Sequence, residues 1–253
     1  MRFSANLGFL WADRPLPDAI RAAQAAGFDA VECHWPYDTP PATVAAALRE
    51  TGLEMLGLNT LRGRPGENGL AALPGREAEA RDAIDRALDY AAAIGCGAVH
   101  VMAGFAQGSG AEATFRANLE YACAKAAAQE ATILIEPLNH HDAPGYFLQR
   151  SDQAARIIAE AGHPNLRLMF DCYHLQIMEG DLTRRLRALA PLIGHVQIAA
   201  VPDRGPPDHG ELDYRHIMGV LAGINWDRPV GAEYRPGGRT EDSLNWMAAL
   251  RGT

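Results

Sequence analysis

Thr132-Ile133-Leu134-Ile135-Glu136 is an unbroken apolar run, rich in β-branched residues, that ends on a carboxylate. A short run of this kind reads as a strand buried on both faces, as in a parallel sheet. Leu168-Met169-Phe170-Asp171 repeats the pattern, His195-Val196-Gln197 ends on an amide, and Val230-Gly231-Ala232-Glu233 ends on a carboxylate again. The four terminal residues lie 35 (171 − 136), 26 (197 − 171) and 36 (233 − 197) positions apart, each about one strand-plus-helix unit.

Working outward, strands are predicted at Phe3–Asn6, Ala30–Cys33, Glu54–Asn59, Ala98–Met102, Thr132–Glu136, Arg167–Asp171, His195–Ile198 and Val230–Glu233. Ala- and Leu-rich helical stretches fall around 16–26, 40–51, 76–94, 111–130, 151–161, 181–190, 214–223 and 241–251. Glycines at 27, 52 and 95 follow three of these helices, where a left-handed C-cap belongs. Eight strands, each followed by a helix, predict a (β/α)₈ barrel, and the 253 residues match the roughly 250 typical of one such domain. No linker interrupts the alternation, so residues 1–253 are read as one domain. Two long connections, Thr60–Gly75 and Ala199–Asp213, both follow strands. They therefore belong to the C-terminal face, where barrel active sites form.

Apolar residues make up 48% of the chain, enough for a substantial core. Against 31 acidic residues stand 23 basic ones, a formal charge of −8 that disfavours nucleic acid as a partner. Cys33, Cys96, Cys123 and Cys172 form no C-x-x-C pair and read as reduced, buried thiols. Neither a secretory leader nor an apolar stretch of membrane-spanning length is evident, so a cytoplasmic location without membrane attachment is expected. A homo-oligomer is compatible with this composition.

In a barrel, Glu136, Asp171, Gln197 and Glu233 end successive strands and surround one mouth. Strand-end acids can also cap the helices that follow them. Four successive strands ending this way are hard to assign to capping alone. Three converging carboxylates would repel one another and resist desolvation unless a cation joins them. All-oxygen ligation suits one divalent ion, Mg²⁺ or Mn²⁺, better than Zn²⁺.

His174, three residues past Asp171, is placed to bond a substrate oxygen or to support the ring from behind. His100 either points into the mouth or packs in the core, and His195 shares the face of Gln197 at a deeper level. In the seventh loop, Arg204 offers a planar fork for a substrate carboxylate, although an arginine there is commonly solvated. Asn6, Glu32 and Asn59 end early strands and are placed to line the pocket, and Phe9, Trp11 and Trp35 offer an apolar wall. Of His140 and His141 at least one is expected in solvent, and His34, His163, His209 and His216 show no pattern that assigns them a role.

Val99-His100-Val101-Met102-Ala103-Gly104, Ile135-Glu136-Pro137-Leu138-Asn139-His140, Phe170-Asp171-Cys172-Tyr173-His174 and Gly194-His195-Val196-Gln197-Ile198-Ala199 together resemble the hydroxypyruvate isomerase family of xylose-isomerase-like barrels. Leu73-Pro74-Gly75-Arg76, Gly210-Glu211-Leu212-Asp213-Tyr214 and Gly231-Ala232-Glu233-Tyr234 extend the resemblance over almost the whole chain, in order. It implies interconversion of hydroxypyruvate and tartronate semialdehyde, or of related 2-oxo-tetronates. It also implies that Glu136, Asp171, Gln197 and Glu233 are the metal ligands and that Glu136 and Glu233 are the acid/base pair. The implied substrate is therefore a small hydroxy-oxo acid. Departures occur at Pro206, where the family pattern has Glu, at Arg235, where it has Lys, and in Leu61-Arg62-Gly63-Arg64. Two rival activities share the barrel. A ketose 3-epimerase usually carries His where this chain has Gln197. A metal-dependent DNA-repair endonuclease would use several zinc ions, many histidines and a basic groove.

Overall fold

In the computed structural model, which describes residues 1–252, the strands and helices alternate along the chain and every strand pairing is parallel. The strands are β1 (Phe3–Asn6), β2 (Ala30–Glu32), β3 (Glu54–Met55), β4 (Leu58–Asn59), β5 (Ala98–His100), β6 (Thr132–Ile135), β7 (Leu166–Asp171), β8 (Ile193–Ile198) and β9 (Val230–Ala232). They lie in the order β3-β2-β1-β9-β8-β7-β6-β5-β4.

The two ends of that order, β3 and β4, are halves of one run, the predicted strand Glu54–Asn59. Its first half pairs with β2 and its second with β5. Leu56 N–H donates to Val31 O at 2.8 Å and Asn59 N–H to His34 O at 2.8 Å, so the run keeps its bonds to the β2 segment while β4 joins β5. The ring closes through this break. Gly57 lies between the two halves, where the run changes partners.

Several predicted boundaries need correction. Cys33, Met102, Glu136 and Glu233 lie just past their ladders rather than inside them. The helix predicted at 111–130 is Gly108–Ala127, and Glu130, at φ 54°, already has left-handed backbone. A helix that was not predicted, Cys172–Met178, starts directly on strand β7: Asp171 accepts Tyr173 N–H at 2.7 Å and caps it without an intervening loop. The stretch 241–251 divides into a 3₁₀ turn, Thr240–Ser243, and the helix Asn245–Arg251. Gly52 (φ 69°) and Gly95 (φ 73°) are left-handed C-caps as expected.

The main core lies between the ring and the helices. Val31, Val99, Ile133, Ile135, Leu168, Phe170, Val196 and Ile198 meet helical residues such as Ile20, Ile84, Ala87 and Leu119 there. In the helix Glu77–Ile94, Ala80, Ala83, Ile84, Ala87, Leu88, Ala91 and Ile94 form one buried stripe at helical spacing. Inside the ring, Ala98, Leu134 and Met169 form a small separate apolar cluster. Polar residues of the mouth stand on strands gripped from outside. Among the described residues no helix is long and apolar enough to cross a membrane.

Candidate active site and metal centre

At the C-terminal end of the ring a cavity of about 380 Å³ is lined by His34, Asn59, His100, Glu136, His174, Arg204 and Glu233, among others. Gln197, Glu136 and Glu233 share a smaller void beneath it. Glu136 and Glu233 are each the first residue after a strand, Asp171 ends β7, and Gln197 is its register neighbour on β8. All four are buried, between 1% and 6% exposed.

One oxygen on each of three of these residues lacks a hydrogen-bond partner: Glu136 Oε1, Asp171 Oδ2 and Gln197 Oε1 are buried without one. Buried oxygens left unsatisfied are costly, and three on neighbouring strands fit a cation that would take them together. Glu136, Asp171 and His174 also bring one ligand atom each within 4.8 Å of one another, close enough to hold an ion.

His174 has a fixed tautomer. Its Nδ1 accepts Asn139 N–H at 3.1 Å and the Asn139 amide nitrogen at 2.7 Å. The amide itself is oriented by its oxygen, which accepts the N–H groups of His141 and Asp142 at 2.9 Å each. In the neutral ring the proton therefore sits on Nε2, 3.6 Å from Asp171 Oδ2 and 3.9 Å from Glu136 Oε1. Burial, with Arg204 nearby, holds the imidazole well below its ordinary pKa, so the ring is neutral. Its Nε2 is thus a donor facing the mouth.

Arg204 lies inside the ring of oxygens, not in solvent. Its guanidinium is 2.5 Å from Glu233 Oε2, 3.6 Å from Asp171 Oδ2 and 3.3 Å from Asp142 Oδ2. It lies over the faces of Phe9 and Tyr173, 4.9 Å from each centroid, and its Nε is buried without a partner. The backbone of Arg204 is left-handed (φ 57°), a conformation that non-glycine residues hold mainly where surrounding structure imposes it. That clamp is visible: Arg204 N–H donates to Ala200 O at 2.9 Å, and Arg204 O accepts Arg235 N–H at 2.7 Å.

The carboxylates titrate apart. Burial, reinforced by the charges of Glu233 and Asp171, raises Glu136 well above the ordinary range. Burial pushes Asp171 up to about 7 against the pull of Arg204. For Glu233 burial also works upward, yet Arg204 and His34 outweigh it and hold the carboxyl below its ordinary value. His100 is pushed down to about 4 by burial, and neither of its nitrogens has a hydrogen-bond partner.

Residues 20–250 match the model of the xylose isomerase-like TIM barrel family. A 2-oxo-tetronate isomerase of Cupriavidus necator is 45% identical, with 99% of each chain covered. The chain belongs to the hydroxypyruvate isomerase family of these barrels. A putative hydroxypyruvate isomerase of Homo sapiens is 42% identical over 98% of this chain and 94% of its own. Among solved structures, one titled AP endonuclease, family 2, from Brucella melitensis aligns with a TM-score of 0.95 at 41% identity, covering 98% of both chains.

Within this family barrel, two site residues escaped the sequence. His34 Nε2 is 2.8 Å from Glu233 Oε1, and Gly8 makes room for it: a Cβ at position 8 would lie 2.1 Å from the His34 ring. Asn139, which sets the His174 tautomer, was also missed; its only signal was its place in a loop just past Glu136. The departing residues Arg62 and Arg235 both line the cavity, and Arg62 lies over Trp35, 4.7 Å from its centroid. Trp11 is not part of the wall: it packs on Phe28 and donates Nε1–H to Glu241 at 2.9 Å. His140 and His141 are exposed, with their rings tilted against each other, and His163, His209 and His216 pair outside the mouth with Glu120, Asp203 and Thr183.

Proposed function

We propose that the chain is a divalent-metal-dependent isomerase that interconverts hydroxypyruvate and tartronate semialdehyde, or closely related 2-oxo-tetronates. The observation that carries this reading is the trio of unpartnered buried oxygens on Glu136, Asp171 and Gln197 beside Glu233. Glu136, Asp171, Gln197 and Glu233 would hold a Mg²⁺ or Mn²⁺ ion, and His174 serves the substrate, because its Nε2 carries a proton and its Nδ1 is already committed. Bound there, the ion would supply Lewis acidity to an α-hydroxy carbonyl. The relatives' names, hydroxypyruvate isomerase and 2-oxo-tetronate isomerase, favour this substrate class over free ketoses.

Glu136 and Glu233 serve as the acid/base pair: one takes the proton from the hydroxyl-bearing carbon, the other delivers a proton to the neighbouring carbon, and the hydroxyl proton passes to the former carbonyl oxygen. His174 donates Nε2–H to a substrate oxygen as charge develops on it. Arg204 keeps Glu233 ionised, and its Nε–H, buried without a partner, is a donor for the substrate carboxylate. His100, neutral and unpartnered, and Asn59, at the wall, complete the substrate contacts. The substrate panel is the test. Three- and four-carbon hydroxy-oxo acids and free ketoses are assayed with Mg²⁺ and Mn²⁺; turnover of the acids at rates well above the ketoses is expected, and the reverse order would replace this activity with epimerisation.

A further inference from the structure

Beneath the mouth lies a buried carboxylate that the proposed chemistry does not use. Glu32 ends β2, is 4% exposed, and takes a hydrogen bond from each of four donors. Ser4 Oγ (2.8 Å) and His195 Nε2 (2.6 Å) reach Oε2, while Asn6 Nδ2 (3.0 Å) and Gln197 Nε2 (2.7 Å) reach Oε1. The orientations of both amides follow from chemistry. An amide oxygen 2.7 Å from a carboxylate oxygen would be repelled, so Gln197 must present its N–H₂ to Glu32. Asn6 Oδ1 accepts Gly8 N–H at 2.9 Å, which leaves Nδ2 for Glu32 and, at 2.9 Å, for Glu233 Oε1.

We propose that Glu32 is a positioning residue for the metal centre: it fixes the Gln197 amide so that the carbonyl oxygen alone faces the mouth, and through Asn6 it ties that amide to Glu233. An unrestrained amide can rotate and turn its N–H₂, which is no ligand for a hard cation, toward the mouth in place of its oxygen. With Nε2 committed to Glu32, Oε1 is buried, unpartnered and aimed away from it. A neutral side chain is thereby made a dedicated oxygen donor, the service that carboxylates behind metal-bound histidines perform elsewhere.

Gly231 supports this independently. Its φ is not in the left-handed region, so backbone freedom does not call for glycine there. Space does: a Cβ would lie 2.6 and 2.8 Å from the Glu32 oxygens and 2.9 Å from His195 Nε2. Strand β9, which leads into Glu233, gives up a side chain so that the Glu32 cluster fits.

The inference rests on the proposed divalent ion, and the experiment separates the two. Metal-free protein is titrated with Mn²⁺ alone, and free Mn²⁺ is followed by electron paramagnetic resonance. Wild type is titrated first, and failure of wild type to bind Mn²⁺ overturns the metal centre itself and Glu32's role with it. Given wild-type binding, Glu32→Leu is expected to weaken Mn²⁺ affinity about 10- to 100-fold, the usual cost of losing such a support. Glu32→Asp keeps the charge but falls a methylene short of Gln197, and is expected to weaken it too. Glu32→Gln is the rescue: its oxygen can take the Asn6 and Gln197 donors and its N–H₂ can face Ser4 and His195, so affinity stays within about threefold of wild type. Wild-type affinity in Glu32→Leu, or in Glu32→Asp should the leucine variant not fold, overturns the proposal. Equal weakening in Glu32→Gln and Glu32→Leu also overturns it, because charge and not amide orientation would then be what Glu32 supplies.

Discussion

The Arg204 guanidinium lies 2.5 Å from Glu233 and 3.6 Å from Asp171, so one buried cation serves two of the four oxygen-bearing strand ends. It reaches them from a loop whose left-handed backbone is pinned at both N–H and C=O. Glu233 therefore has a fixed positive neighbour on one oxygen and two donors, Asn6 and His34, on the other. That environment separates it from Glu136, whose carboxyl is raised by burial and by the charges of Glu233 and Asp171.

Removing Arg204 is expected to act on both binding and ionisation. Truncating one member of a desolvated charge pair costs about 2–5 kcal/mol, so Arg204→Ala should lower kcat/KM for hydroxypyruvate at least about 30-fold. Without Arg204, the largest influence holding Glu233 low is lost and its carboxyl rises, so the acid limb of the kcat/KM profile should move to higher pH. Arg204→Lys should recover only part of the loss, because an ammonium cannot reproduce the fork between Phe9 and Tyr173. Steady-state kinetics across pH check this; an unmoved acid limb in Arg204→Ala would remove Arg204 from the control of Glu233.

The acid/base pair makes a separate prediction. Glu136→Gln and Glu233→Gln should each lower kcat by at least about 10²-fold at saturating metal, the lower end for losing a general acid or base. Rates compared at saturating Mn²⁺ keep a binding defect from counting as a chemical one. A kcat near wild type in either variant would exclude that residue from proton transfer.

Stability of the metal-free protein should depend on pH with a definite sign. Asp171, raised to about 7, and Glu136, raised well above its ordinary value, hold their protons more tightly folded than unfolded. Their contribution is complete at low pH and is lost as pH rises through the folded-state values. His100 and His174, depressed by burial, act in the opposite direction, but only where the unfolded imidazoles are charged, below roughly pH 7. Glu233, held low, varies only in acid. Between roughly pH 7 and 8.5, thermal unfolding of metal-free protein should therefore show Tm falling with pH, with a shallower slope in Asp171→Asn. A Tm that rises over this window would contradict the raised carboxyls of Asp171 and Glu136.

The strand ends were legible in the sequence because each is a local pattern, a short β-like run that ends on an oxygen-bearing side chain. That pattern located Glu136, Asp171, Gln197 and Glu233 on one end of the barrel, and the alternation of strands and helices predicted the barrel itself. His34 was not legible, since its place beside Glu233 depends on a glycine at position 8 on another strand's loop. Glu32 could be listed only as a pocket residue; its four donors come from β1 and β8, far apart in sequence. The helix Cys172–Met178 was missed because its cap is the strand's own last residue, which leaves no turn signal between them. The break in Glu54–Asn59 is a closure effect, visible only when both flanking strands are in place.

Metal dependence of turnover bears most directly on the central claim. Protein stripped by chelator, and verified metal-free by elemental analysis, is assayed on hydroxypyruvate before and after addition of Mg²⁺ or Mn²⁺. The oxygens left unpartnered on Glu136, Asp171 and Gln197 predict no isomerisation without metal and recovery with it. Full activity in the verified metal-free protein would contradict it.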